Sequence, residues 1–87
     1  MEVCLIMKIY WYGNRKNVIG PQVKALRKKL GLTQKALAEK LQLEGYEFSD
    51  LTILRIENGS RFAADYEVKA LADVFGVSTD DLFAQEN

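Results

Sequence analysis

From Ile19 to Phe83, apolar residues recur at intervals of three and four, the period of amphipathic helices. Pro21 suits the first turn of a helix, where its missing N–H costs no intrahelical bond. Val23, Leu26 and Leu30 then share one face, while Lys24, Lys28 and Lys29 point away from it, and Gly31 is placed to end the helix in a left-handed cap. Thr33 reads as the N-cap of a second helix whose buried stripe is Ala36, Leu37 and Leu41. Residues 42–48, with Gly45 among them, read as a connection. Ser49 caps a third helix that turns Ile53 and Ile56 inward and stops at Asn58-Gly59. Asp65 opens a fourth helix, which buries Val68, Leu71, Ala72 and Phe75 and ends at Gly76. Ser78-Thr79-Asp80-Asp81 has the form of a capping box, with Asp in place of the usual Glu or Gln. It predicts a short fifth helix that docks Leu82 and Phe83. The expectation is an all-α, five-helix domain over residues 19–87, preceded by a strand or arm over residues 1–18.

The first twelve residues follow a different rule. Val3, Leu5, Met7, Ile9 and Trp11 alternate with Cys4, Ile6, Lys8, Tyr10 and Tyr12, the period of a β-strand, and Gly13-Asn14 supplies a turn. A lone strand leaves its backbone groups unpaired, and no second strand-like segment follows in the sequence. Either an antiparallel copy across a two-fold axis completes it, giving a homodimer through residues 3–12, or it is an extended arm over the helices with Trp11 in a surface groove. Met7 offers an alternative start. The apolar run Val3–Met7 is broken by Lys8 and far short of a membrane span, and Glu2 sits where a signal peptide would carry positive charge. A cytoplasmic protein without membrane contact is expected.

Composition sharpens the picture in one respect. The 87 residues, 48% hydrophobic, suffice for one small domain, and the formal net charge is zero. That total hides a division. Residues 1–41 hold nine Lys/Arg against two acids, a net of +7, and residues 42–87 hold three against ten, a net of −7. Such asymmetry points to a nucleic-acid-facing side opposite an acidic one, unless folding simply intermixes the charges. With Cys4 the lone cysteine and no histidine, neither an internal disulfide nor the usual general base is available. No nucleophile–base pairing and no glycine-rich phosphate loop is visible, and Asp65, Glu67, Asp80 and Asp81 are explained as helix-start acids. Neither an enzyme, a metal site, a cofactor nor a small-molecule ligand is expected.

Two short helices in tandem after a basic segment are the material of a helix-turn-helix. The runs Leu32-Thr33-Gln34 with Leu37-Ala38 and Leu41, then Ile53-Leu54-Arg55-Ile56-Glu57-Asn58-Gly59, then Leu71-Ala72 with Phe75-Gly76-Val77-Ser78 and Leu82 resemble the phage repressor/Cro-type helix-turn-helix family. The resemblance covers residues 19–83 and leaves out only the arm and the extreme C-terminus.

The resemblance implies roles for particular residues. Gln34 matches a glutamine that holds a DNA phosphate beside the N–H groups of a helix N-terminus, and Asn58 matches a second phosphate-binding position. Base reading is implied for the start of the third helix, here Asp50, Leu51 and Arg55, with Ser49, Thr52 and Leu54 as further DNA-binding positions. Arg27 and Glu57 match an internal salt bridge between the first and third helices. Arg15, Lys16, Lys35 and Arg61 are candidates for backbone contacts, Arg15 and Lys16 through a basic arm. The implied function is sequence-specific binding of double-stranded DNA by a homodimeric transcriptional regulator, such as a repressor, on a palindromic operator. Its two reading helices would lie about 34 Å apart.

This sequence departs from the family pattern twice. Glu44-Gly45-Tyr46-Glu47-Phe48 lengthens the turn between the second and third helices, with Phe48 expected to close the core and Tyr46 to stay partly exposed. Asp50 and Leu51 stand where relatives often place Gln, Arg or Ser. Asp accepts from a cytosine amino group, Leu rests on a thymine methyl, and Arg55 suits guanine O6 and N7. The alternatives are that Asp50 only caps the helix, that Arg55 meets a phosphate or Glu47, and that Leu51 and Leu54 mark a protein-binding face. In that case the fold is an interaction module, antitoxin-like or part of a larger assembly.

Overall fold

The computed structural model describes residues 14–84. Five helices lie among these residues: α1 (Gly20–Lys29), α2 (Gln34–Leu43), α3 (Asp50–Asn58), α4 (Asp65–Phe75) and α5 (Thr79–Phe83). The predicted strand over residues 3–12 lies outside the described residues. None of the helices described is long and apolar enough to cross a membrane.

Side-chain chemistry accounts for where the helices begin. Thr33 accepts a hydrogen bond from the Ala36 N–H at 3.0 Å, and Ser49 accepts one from the Thr52 N–H at 3.1 Å. Ser78 and Asp81 cap each other reciprocally, at 3.2 and 3.1 Å, so aspartate completes this capping box. The ends are equally regular. Past α3, Gly59 sits at φ +82°, with the Gly59 N–H on the Ile56 carbonyl and the Ser60 N–H on the Arg55 carbonyl. This is a Schellman closure, which a residue with a Cβ enters only under strain.

Ile19, Val23, Leu37, Leu41, Ile53, Ile56, Leu71 and Leu82 are fully buried and draw all five helices or their flanks onto one core. Burying each such side chain stabilises by about 1.5–3 kcal/mol. α3 packs on both α1 and α2, and α4 closes the other side against α1, α2 and α5. Several expectations change here. Leu30 is 53% exposed, because α1 ends at Lys29 and Leu30 falls in its cap rather than on the inner stripe. Phe83 is 47% exposed, so Leu82 alone anchors α5 in the core, and Leu26 and Phe75 are only partly buried against it. α2 also runs through Gln42 and Leu43, which shortens the connection by two residues.

That connection is pinned at both ends. The Tyr46 N–H returns to the Leu41 carbonyl at 3.0 Å as α2 closes, and the Gln42 amide donates to the Phe48 carbonyl at 2.6 Å. Phe48 is buried and Tyr46 half-buried. The extra residues therefore form a closed excursion that leaves Ser49 in place to start α3.

A second fastening joins the chain ahead of α1 to the end of α3. The Asn17 amide donates to the carbonyls of Ile56 and Arg61, at 3.0 and 2.8 Å, while its oxygen accepts from the Gly20 N–H at 2.8 Å. Arg15 donates to the carbonyls of Ile56 and Glu57, at 3.1 and 2.8 Å, and the Lys16 N–H reaches the Gly59 carbonyl at 2.8 Å. Three consecutive residues thus serve the orphan carbonyls of one helix end, with a cation where the helix dipole is negative.

Candidate nucleic-acid interface

α3 presents two opposed faces. Ile53, Ile56 and Glu57 turn inward and are buried. Leu51, Leu54, Arg55 and Asn58 are spaced as i, i+3, i+4 and i+7, form one outward stripe, and are all exposed. The face is fixed by the core beneath it rather than by its own contacts.

Glu57 connects this helix to the other two in front. Arg27 donates through Nε to Glu57 Oε2 at 2.6 Å and through Nη2 to Oε1 at 3.0 Å, and its Nη1 donates to the Leu32 carbonyl at 2.8 Å. The hydrogen bond to Glu57 raises the Arg27 pKa above its ordinary value, while burial opposes it. Gln34, the first residue of α2, donates from Nε2 to Glu57 Oε1 at 3.1 Å. A carboxamide nitrogen carries two N–H groups, so Gln34 keeps one for an external acceptor while the ion pair holds it in place. Lys35 lies exposed beside it.

At the other end of the stripe, Asn58 Oδ1 accepts from the Ser60 N–H at 3.0 Å. This local turn fixes the side chain and commits its oxygen, leaving the amino group as the outward donor. Between these two positions, Ser49 and Thr52 share a hydroxyl–hydroxyl bond of 3.0 Å, and Asp50 Oδ1 accepts from the Leu51 N–H at 2.9 Å. The Arg55 guanidinium makes no hydrogen bond or ion pair with any described residue, Glu47 included. Gln34, Asp50, Leu51 and Leu54 line a shallow depression of about 170 Å³.

Three basic candidates are engaged elsewhere. Arg15 caps the carbonyl end of α3. Arg61 forms a forked pair with the buried Glu67, Nη1 to Oε1 at 2.7 Å and Nη2 to Oε2 at 2.9 Å. That hydrogen bonding raises the Arg61 pKa and holds the Glu67 carboxyl below its ordinary value, with burial pushing the latter back up. The Lys16 ammonium stands 5.6 Å from the centre of the Phe62 ring, within cation–π range. The sequence reading missed Asn17 and the partnership of Glu67. Both carried a faint signal: an Asn just ahead of a helix, and an acid at the third helical position behind an alanine that cannot cap.

The geometry assembles an outward helix stripe with an oriented amide donor at each end, Gln34 and Asn58, and an unengaged guanidinium between them. No match was found among curated proteins or among solved structures. A model of the helix-turn-helix family does match, over residues 23–82, a span that takes in most of α1 and all of α2, α3 and α4. On that match the chain belongs to the Cro/C1-type helix-turn-helix family of DNA-binding regulators.

Proposed function

We propose that this chain binds double-stranded DNA in a sequence-specific manner, as a cytoplasmic transcriptional regulator of the repressor kind. α3 enters the major groove, and Gln34, Lys35 and Asn58 hold phosphates on either side of it. Ser49, Asp50, Leu51, Thr52, Leu54 and Arg55 face the base edges, and Arg55 supplies the bidentate guanine contact. Arg15, Lys16 and Arg61 act behind this surface, as braces and as positive potential, rather than as direct contacts. The observation that carries the reading is the pair of donors fixed by internal bonds at the two ends of the outward stripe.

Two copies on a palindromic operator place their reading helices about 34 Å apart. Pairing of residues 3–12 is the proposed dimer contact, ahead of a helical domain that begins at residue 19. A chain lacking residues 1–12 is then a monomer by light scattering.

Fluorescence anisotropy with a pool of random duplexes, at several salt concentrations, tests the central claim. Micromolar binding that strengthens as salt falls, and weakens in a Gln34→Ala, Asn58→Ala double variant, supports it. Absence of binding at low salt overturns it. The second reading, a protein-interaction module, draws on the exposure of Leu51 and Leu54, and that result would favour it.

A further inference from the structure

A groove of about 550 Å³ lies along α1, on residues that the proposed DNA surface does not use. Val18, Pro21, Ala25, Leu26 and Ala84 give it apolar walls, and Gln22 and Lys29 add polar points to its lining. Pro21 and Ala25 are exposed, while Val18 and Leu26 are half-buried. The groove thus reaches from the chain ahead of α1, along that helix, to the chain just past α5.

Two stretches join the described chain near it, residues 1–13 and residues 85–87. Gln85-Glu86-Asn87 brings no apolar side chain. The other stretch has five on alternate positions, Val3, Leu5, Met7, Ile9 and Trp11. It also departs from a fixed point. Arg15, Lys16 and Asn17 are held on the end of α3, and the backbone turns at Asn14. From there to Val18 is four residues, about 14 Å of chain at most.

We infer that the groove is the seat of the chain's own N-terminal arm, with Trp11 as its anchor. A two-residue turn at Gly13-Asn14 sets Trp11 across from Lys16 and Ile9 across from Val18, on one face. Val18 already forms a wall of the groove, so that face is the one turned into it. Tyr10 and Tyr12 fall on the opposite face. Tryptophan suits the lining in size and chemistry. Its rings are broad and apolar, its N–H needs an acceptor such as the Gln22 amide oxygen, and its face attracts a cation such as Lys29. Neither DNA binding nor pairing between copies is needed for this docking, and the outer edge of the arm stays open to that pairing.

Trp11 is the one tryptophan, so the fluorescence of the full chain reports on it alone. Wild type is expected to emit at the short wavelengths of a buried indole and to resist quenching by acrylamide. Ala25→Glu puts a charge into the groove at an exposed position, and four residues ahead of Lys29 it favours the helix. It is expected to shift the emission to that of tryptophan in water and to raise quenching severalfold, with helical circular dichroism unchanged. Lys24→Glu, exposed on α1 but outside the groove, is expected to change neither. Water-like emission from wild type overturns the inference, and so does buried emission that survives Ala25→Glu. Dilution until light scattering reports a monomer separates the chain's own arm from a partner's. A short-wavelength emission that persists supports the inference, and one lost with the dimer overturns it.

Discussion

Arg27 and Glu57, one on α1 and the other on α3, meet in a forked ion pair with arms of 2.6 and 3.0 Å. Both side chains are nearly buried, at 10% and 3% exposure, and Gln34 donates to the same carboxylate. The carboxylate that ties α3 to α1 thus also holds the side chain of the first residue of α2.

Removing one partner of this pair strands the other in the core. Arg27→Met and Glu57→Leu are each expected to lower unfolding free energy by about 3–5 kcal/mol, measured by urea denaturation. Replacing both together is expected to cost well under the sum, because no buried charge is left alone. A double variant as unstable as the two losses added would refute the pairing as the cause.

Gly20→Ala is expected to destabilise, against the usual preference for alanine in helices. A methyl at Gly20 meets the Arg15 guanidinium and the Ile56 carbonyl, and the second is backbone that cannot swing aside. Overpacking of this kind costs about 1–3 kcal/mol, more than the gain of up to about 1 kcal/mol in helix propensity. A raised melting temperature in this variant would show that the approach is looser than described.

The Arg61–Glu67 pair predicts acid sensitivity. Arg61 holds the Glu67 carboxyl below its ordinary value, so the folded state binds this proton less readily than the unfolded chain. The pair's contribution is fully present above the unfolded value, about 4.3, and is lost as pH falls through the lower folded value. Melting curves between pH 7 and pH 2 are expected to show Glu67→Gln less stable than wild type at neutral pH, by about 2 kcal/mol, with the gap closing in acid. The figure lies below that for Arg27 because Arg61 is about a third exposed.

Arg55→Ala is expected to cost about 1–3 kcal/mol of binding on a selected duplex. On random duplexes it is expected to cost much less, since the backbone contacts proposed for Gln34 and Asn58 would remain. A uniform loss on both pools would reassign Arg55 to a phosphate. Competition anisotropy on the two pools separates these outcomes.

The helices were legible from their apolar period, and for three of them from a cap as well: Thr33, Ser49 and Ser78 cap in the structure as their positions suggest. The Arg27–Glu57 bond followed from the family resemblance and is present. What the sequence hid were bonds to backbone from far away. Arg15 and Asn17 find carbonyls some forty residues on, and nothing in local spacing distinguishes a surface arginine from one that caps a distant helix. Arg61 was obscured in a related way: its partner Glu67 already had a sufficient local explanation as a helix-start acid.

The pinned excursion between α2 and α3 has a practical meaning. Its ends are fixed by the Tyr46 N–H and by the Gln42 grip on Phe48, while Glu47 between them is exposed. Lengthening the chain at Glu47 adds only loop entropy, about 0.6 kcal/mol for each doubling, and leaves Ser49 where it is. The molecule thus carries a natural grafting point, where an epitope or a fluorophore-bearing peptide can be spliced in without moving α3.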